Sequence, residues 1–168
     1  MGNSNKDELQ SFLNFKAEQY ESFSFIETDP ILIPHRFNDS KDVEIMAFLM
    51  ATIAWGNRNS IIKSGERLIE LFDNCPYEFI MNANEAEINN LGSFVHRTFN
   101  GQDLICFVQN LKALYEKQNS LESYFLNQED VKHLQFAISR FKSTFFSKHP
   151  QHRSFKHIAD PLNKSAAK

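Results

Sequence analysis

Apolar residues recur at helical spacing along most of this chain, and short polar breaks separate the runs. The densest run covers residues 43–55. Val43, Met46, Met50, Ile53 and Ala54 repeat at helical intervals, and Ile45, Phe48 and Leu49 fill the other faces. A helix apolar nearly all round belongs in the middle of a core. The run is too short to cross a bilayer, which takes about 20 apolar residues. A polar corner, Gly56-Asn57-Arg58-Asn59-Ser60, follows it, and a second amphipathic run covers residues 61–72. Gly56 suits the left-handed residue that ends a helix. Asn59 or Ser60 can cap the next one. Residues 42–72 therefore predict a buried helix, a tight corner and a second helix leaving at an angle, with the corner as the working surface.

The same reading places further helices on both sides. Residues 5–20 carry the stripe Leu9, Phe12, Leu13, Lys16, Ala17 and Tyr20, with Asn5 as cap and Glu8 as its capping-box partner. Pro30 and Pro34 forbid a regular helix through the next stretch, which reads as an extended, partly buried connector. One of Asn38, Asp39 and Ser40 starts the central helix. Pro76 suits the first turn of a short helix. Asn84 and Glu87 form a second box pair. Asn100-Gly101 marks a turn before the stripe Leu104, Phe107, Val108, Leu111, Leu114 and Tyr115. Ser120 caps a short segment. Leu134, Ala137, Ile138, Phe141 and Phe145 form the last clear stripe, with Lys132, Arg140 and Lys142 off it. No strand shows strict alternation and no internal repeat is present. The expectation is an all-α fold: a single multi-helix domain over residues 1–148, then a basic tail over 149–168 leading into an incomplete helix.

Composition sharpens this picture. At 168 residues, 42% of them hydrophobic, the chain can bury one core and is not a disordered tail. Its two cysteines and polar N-terminus suit a cytosolic, reduced protein without a signal peptide or a membrane span. The net charge of −3 hides an asymmetry. Residues 1–131 hold 10 Lys and Arg against 20 Asp and Glu, whereas residues 132–168 hold 8 against the single acid Asp160. Such a split points either to an anionic partner for the basic end or to that end lying on the acidic body.

Candidate chemistry is sparse. There is no Cys-x-x-Cys, no His-Glu-x-x-His and no glycine-rich phosphate loop, so no metal or cofactor is expected. His149, His152 and His157 read as part of a solvated basic tail, and Cys75 and Cys106 as buried structural thiols. Asp42, Glu44 and Asp103 sit at helix starts, where caps and a solvated face explain them. Trp55-Gly56-Asn57-Arg58 gathers an aromatic ring, two polar side chains and a helix start. That group can contact a phosphate or wedge beside a base; a core Trp with two capping residues explains it equally well. His35-Arg36 and His96-Arg97 are candidate phosphate clamps, against the plainer reading of exposure or a local carbonyl partner.

The segments HRFNDSKDVEIMAFLMATIAWGNR, PYEFI, FVHRTFNGQDL, SLESYF and DPLNKSAAK, in that order, resemble a conserved bacterial family of unknown function. That family is similar, more distantly, to the helix-hairpin-helix DNA glycosylases. The resemblance implies the N-terminal part of that fold, with Asn57 and Arg58 where a duplex-wedging residue is expected. It implies double-stranded DNA as a partner, contacted by Trp55, Asn57, Arg58, His96 and Arg97. Lys168 matches the position of the nucleophilic Lys. The glycine-rich hairpin and the Asp-Thr-His-like catalytic segment of those enzymes have no counterpart here. The chain is therefore expected to be part of a longer protein and not to excise bases alone. The alternatives are a non-catalytic helical interaction module, self-associating through exposed apolar surface, or a vestigial truncated product.

Overall fold

The computed structural model describes residues 2–126 and 134–163. Over these the chain is mostly helical, as the apolar periodicity implies, with one two-stranded hairpin. Helix α3 (Ser40–Ile53) is the centre. Asp39 caps it, its carboxylate accepting from the Lys41 and Asp42 amides. Ile45, Met46, Leu49 and Ile53 are buried on its inner face. The outer face departs from the all-round burial expected: Ala47, Ala51 and Ala54 are exposed. Helix α4 (Arg58–Leu71) leaves the corner with Ile61, Leu68 and Ile69 turned inward. Its cap is Asn57, not Asn59 or Ser60: the Asn57 side-chain oxygen accepts from the Ser60 amide at 3.2 Å. The helix therefore starts earlier than its apolar pattern suggests, because a cap sits outside the stripe it serves.

The N-terminal region differs more. Helix α1 spans Gly2–Tyr20, so Asn5 lies inside it and caps nothing. Leu9, Phe12, Leu13 and Tyr20 of its predicted stripe are solvent-exposed. The connector expected to be extended is a series of turns: α2 (Phe23–Ile26) and 3-10 turns at Pro30–Leu32 and Pro34–Arg36. Each proline occupies the first position of its turn. There the fixed φ fits and no amide is needed, and the Asp29 carboxylate caps the first turn through the Ile31 amide.

Helices α5 (Pro76–Asn82) and α6 (Glu85–Asn90) follow. Asn84 and Glu87 exchange both capping-box bonds, as their spacing implies. The Asp42 carboxylate, read from sequence as a helix-start charge, accepts from the Tyr77 amide at 2.7 Å and fixes α5 to α3. A hairpin of β1 (Val95–His96) and β2 (Phe99–Asn100) then pairs Val95 with Asn100 and His96 with Phe99. Its turn is Arg97-Thr98, not Asn100-Gly101. Asn100 instead caps α7 (Gly101–Tyr115) in a second reciprocal box with Asp103. Gly101 is required there: a Cβ would stand 2.3 Å from the Gly92 carbonyl oxygen.

Helix α7 is the most buried element. The Phe107 ring packs on Phe48, Phe99 and Phe145 at 5.7, 5.2 and 5.0 Å between centroids. Helix α8 (Leu134–Phe145) adds Phe141 and Phe145 to this aromatic core, while Leu134, at the head of its stripe, is exposed. Lys142, off that stripe, is nonetheless buried, with Nζ 3.9 Å above the Phe155 ring. Burial pulls its pKa down and the Asp160 charge partly restores it. Glu44 ties α3 to the segment after α7. It accepts from Tyr115 Oη and the Leu121 amide, both at 2.9 Å, and from the Ser120 hydroxyl. Burial raises its carboxyl pKa, but the Ser120, Leu121, Tyr115 and Glu122 donors together hold it below the usual value.

The basic segment after His149 does not project as a solvated tail over its described residues. A 3-10 turn at Arg153–His157 packs on α7 with Ser154 and His157 buried, and a second follows at Pro161–Asn163. The incomplete helix read from Ser165 onward, and Lys168 with it, lie outside the described residues. No helix among the described residues is long and apolar enough to cross a membrane.

Candidate nucleic-acid-contacting corner

The corner after α3 and the 95–100 hairpin, 40 residues apart in sequence, meet in space. Ala54 ends α3, and the Trp55 amide donates to the Ile53 carbonyl at 2.7 Å. This turns the chain sharply, and Gly56 continues the turn at φ +109°. Only glycine takes this value easily. A Cβ at Gly56 would also lie 2.5 Å from an Arg97 guanidinium nitrogen. Arg97 needs that space because its guanidinium carbon sits 4.8 Å from the Trp55 ring centroid. Such a stack contributes about 0.5–1 kcal/mol at an exposed site.

Arg97 holds a left-handed backbone at φ 56° in the first turn position of the hairpin, a place usually filled by Gly, Asn or Asp. The other two non-glycine residues with positive φ among the described residues, Asp73 and Asn74, are types that tolerate it. Arg97 is exposed, and no ion pair joins it to any carboxylate of the described residues.

His96 faces the opposite way and is buried. Its Nδ1 lies 2.7 Å from Ser64 Oγ, and that hydroxyl lies 3.0 Å from the Ser60 carbonyl. The ring nitrogen and the Ser64 hydroxyl share one hydrogen bond, which links the hairpin to α4. Burial holds the imidazole pKa below its usual value. The Arg97 charge acts in the same direction, and the Trp55 and Ile53 carbonyls oppose it. His96 is thus a neutral pin holding the hairpin to α4, not a phosphate clamp.

The remaining sequence candidates divide clearly. Asn57 spends its side-chain oxygen on the α4 cap. Arg58 is exposed and loosely paired to Asp29 at 3.7 Å, with its guanidinium 5.9 Å from the Phe25 ring centroid. Arg36 forms a bidentate pair with Glu66 and is neutralised, which removes it as a phosphate clamp. Asp103, read as a solvated cap, has a fully buried side chain. It accepts from the Asn100 amide at 2.9 Å and from Arg153 and Ser154 at 2.8 Å each, and His157 Nε2 lies 3.4 Å away. Arg153 also reaches the Thr98 carbonyl at 3.2 Å. That contact sets the basic end beside the hairpin that carries Arg97. Cys106 is buried, and burial raises its thiol pKa, while Cys75 is exposed rather than structural. Among the described residues no cluster of three His, Cys, Asp or Glu could hold a metal.

Sequence reasoning missed Ser64, Arg153 and Thr98 as parts of this region. Ser64 and Arg153 lie in no quoted segment, Thr98 takes part through its backbone carbonyl, and Arg153 joins Asp103 across 50 residues.

Fold and site together define an all-α protein with an arginine-bearing corner between two core helices. The chain belongs to a family described as "Protein of unknown function (DUF2400)", which matches residues 29–168. The match begins at Asp29, the cap of the first 3-10 turn, and leaves α1 and α2 outside it. We found no match among curated proteins or solved structures.

Proposed function

We propose that the corner of Trp55, Asn57, Arg58 and Arg97 contacts the backbone of duplex DNA, in the manner of a DNA-glycosylase-like protein. The observation that carries this reading is Arg97. Its exposed guanidinium stacks on Trp55, in a backbone conformation costly for Arg, with no ion pair to a carboxylate among the described residues. Unfavourable backbone geometry at an exposed polar residue is more often kept for function than for stability. A planar guanidinium on a rigid platform suits bidentate contact with a phosphate. Arg58 lies on the same corner, and Lys156 is exposed on the segment that Arg153 holds against the hairpin. The wedge role is assigned to Arg97 and Arg58 rather than to Asn57, whose oxygen is already used. The glycosylase kinship rests on the sequence resemblance, and no described residue is assigned the bond-breaking step.

The test is fluorescence anisotropy of a labelled DNA duplex titrated with the protein across a range of salt. The reading expects log K to fall linearly with log salt, with a slope of about −0.9 per phosphate contacted. Absent binding, or binding indifferent to salt, overturns it.

A second reading, a helical protein-interaction module, is favoured by a separate observation. The apolar stripe of α1 is exposed: Leu9, Phe12 and Leu13 keep 55–56% of their surface in solvent.

A further inference from the structure

Two apolar surfaces remain uncovered, and they match. One is the α1 face carrying Leu9, Phe12, Leu13 and Tyr20, with Phe15 at its edge, each 50–60% exposed. The ring contact between Tyr20 and Phe25 is where the end of α1 meets the rest of the chain.

The other surface is a groove between the outer face of α3 and the 3-10 turns. One stretch, of about 280 Å³, is lined by Ile31, Pro34, Ala47, Met50, Ala51 and Ala54, with Asp29 and Pro30 at its end. It continues past Ala47 to Val43 in a second stretch of about 230 Å³. Ile31, on the wall shared by both stretches, is 44% exposed.

We propose that this groove is the seat for α1 of a second copy of the chain, in a symmetric dimer that exchanges its N-terminal helices. Three features support this occupant. First, the lengths agree: the stripe from Leu9 to Tyr20 and the groove from Val43 to Ala54 each cover about 16 Å at 1.5 Å per residue. Second, the alanines of the groove floor let a helix bearing large side chains approach closely, and ridges of large residues fit a groove of small ones.

Third, the area suffices. Burying an aromatic side chain removes about 150–250 Å², so five half-exposed large side chains offer roughly 500 Å² per helix. Two helices give about 1,000 Å², and the two grooves they fill bring the total to the lower end of the roughly 1,200–2,000 Å² of specific interfaces. A two-fold exchange covers both surfaces of both copies and leaves no open end. In the structure the groove stands open although α1 belongs to the same chain, which is why a second copy is the occupant named. This inference is independent of the DNA reading.

The experiment is sedimentation of the whole chain from low concentration to about 200 µM, with Phe12→Glu and Ala47→Glu as variants. Both residues are exposed, so each variant should keep the wild-type circular dichroism; Ala51→Glu is a second groove variant. Wild type should approach twice 19.6 kDa. Each variant alone should dissociate at least tenfold more readily. An equal mixture of Phe12→Glu and Ala47→Glu should recover dimer, because one intact helix then meets one intact groove. A wild-type monomer throughout overturns the proposal. So does a dimer indifferent to either variant, or a mixture that recovers nothing. A monomer whose α1 amides resist hydrogen exchange also overturns it, because the helix would then be covered within its own chain.

Discussion

Two arginines flank one hairpin and are used in opposite ways. Arg153 reaches the hairpin from the C-terminal side. It donates to Asp103 at 2.8 Å and to the Thr98 carbonyl at 3.2 Å, on a carboxylate with no solvent exposure. Arg97, next to Thr98 in the chain, turns outward onto Trp55 and pairs with no acid among the described residues. The first arrangement is closed: every charge has a partner and burial strengthens the attraction. The second is open. It keeps a cation in place without neutralising it, at some cost in backbone conformation. A charge satisfied inside the protein stabilises the fold, whereas one positioned but unsatisfied is available to a ligand. Stability should therefore depend on the closed side and binding on the open one.

The largest effect is expected from breaking the closed side. Asp103→Ala removes the acceptor for Arg153, Ser154 and the Asn100 amide, and should lower stability by about 3 kcal/mol, read from the urea midpoint. Glu44→Gln should follow at about 2 kcal/mol, since the carboxylate accepts from four donors, Tyr115 on α7 and three in the 120–122 segment. The pH dependence has a defined sign. The folded pKa of Glu44 lies below its ordinary value of 4.5, so its contribution is complete above about pH 4.5 and is lost as pH falls through the folded value. The Gln variant should lose that part of the acid sensitivity.

Gly56→Ala crosses between the two sides. It should cost about 1–2 kcal/mol through the positive φ and push Arg97 off Trp55. Trp55 is the only tryptophan, so its fluorescence reports that displacement alone.

His96 gives a smaller, pH-coded effect. Its folded pKa is depressed, so the unfolded chain takes up the proton first. Stability should fall as pH drops below about 6.5 and level off beneath the folded value. Thermal scans of His96→Gln should show that slope removed; an unchanged slope would contradict the buried neutral pin. The smallest stability effect belongs to the open side. Arg97→Ala should stay within about 1 kcal/mol of wild type.

Much of this architecture is legible in the sequence because it is local. The periodicities of α3, α4 and α7 and the Asn84–Glu87 box are fixed within a few residues of one another, and each is present. What the sequence hid is non-local or polar. The pairing of Asp103 with Arg153 spans 50 residues, and spacing carries no signal for it. Trp55 and Arg97 stood out separately, yet only the hairpin turn brings them together. The prolines at 30 and 34 exclude a long helix and suggest an extended connector; the chain turns instead, and Asp29 supports the turn through its cap on Ile31. The exposed stripe of α1 had the pattern of a core-facing helix, because periodicity reports an apolar face and not what covers it.

The most direct test of the central claim compares Arg97→Ala and wild type for duplex DNA affinity across salt, with the folded state checked by urea unfolding. The account predicts unchanged stability, binding weakened at least fivefold at low salt, and a salt slope shallower by about one. Equal affinity and an equal slope for the two proteins would contradict it. Arg97 would then be a surface residue resting on Trp55, and the open corner would have no part in binding.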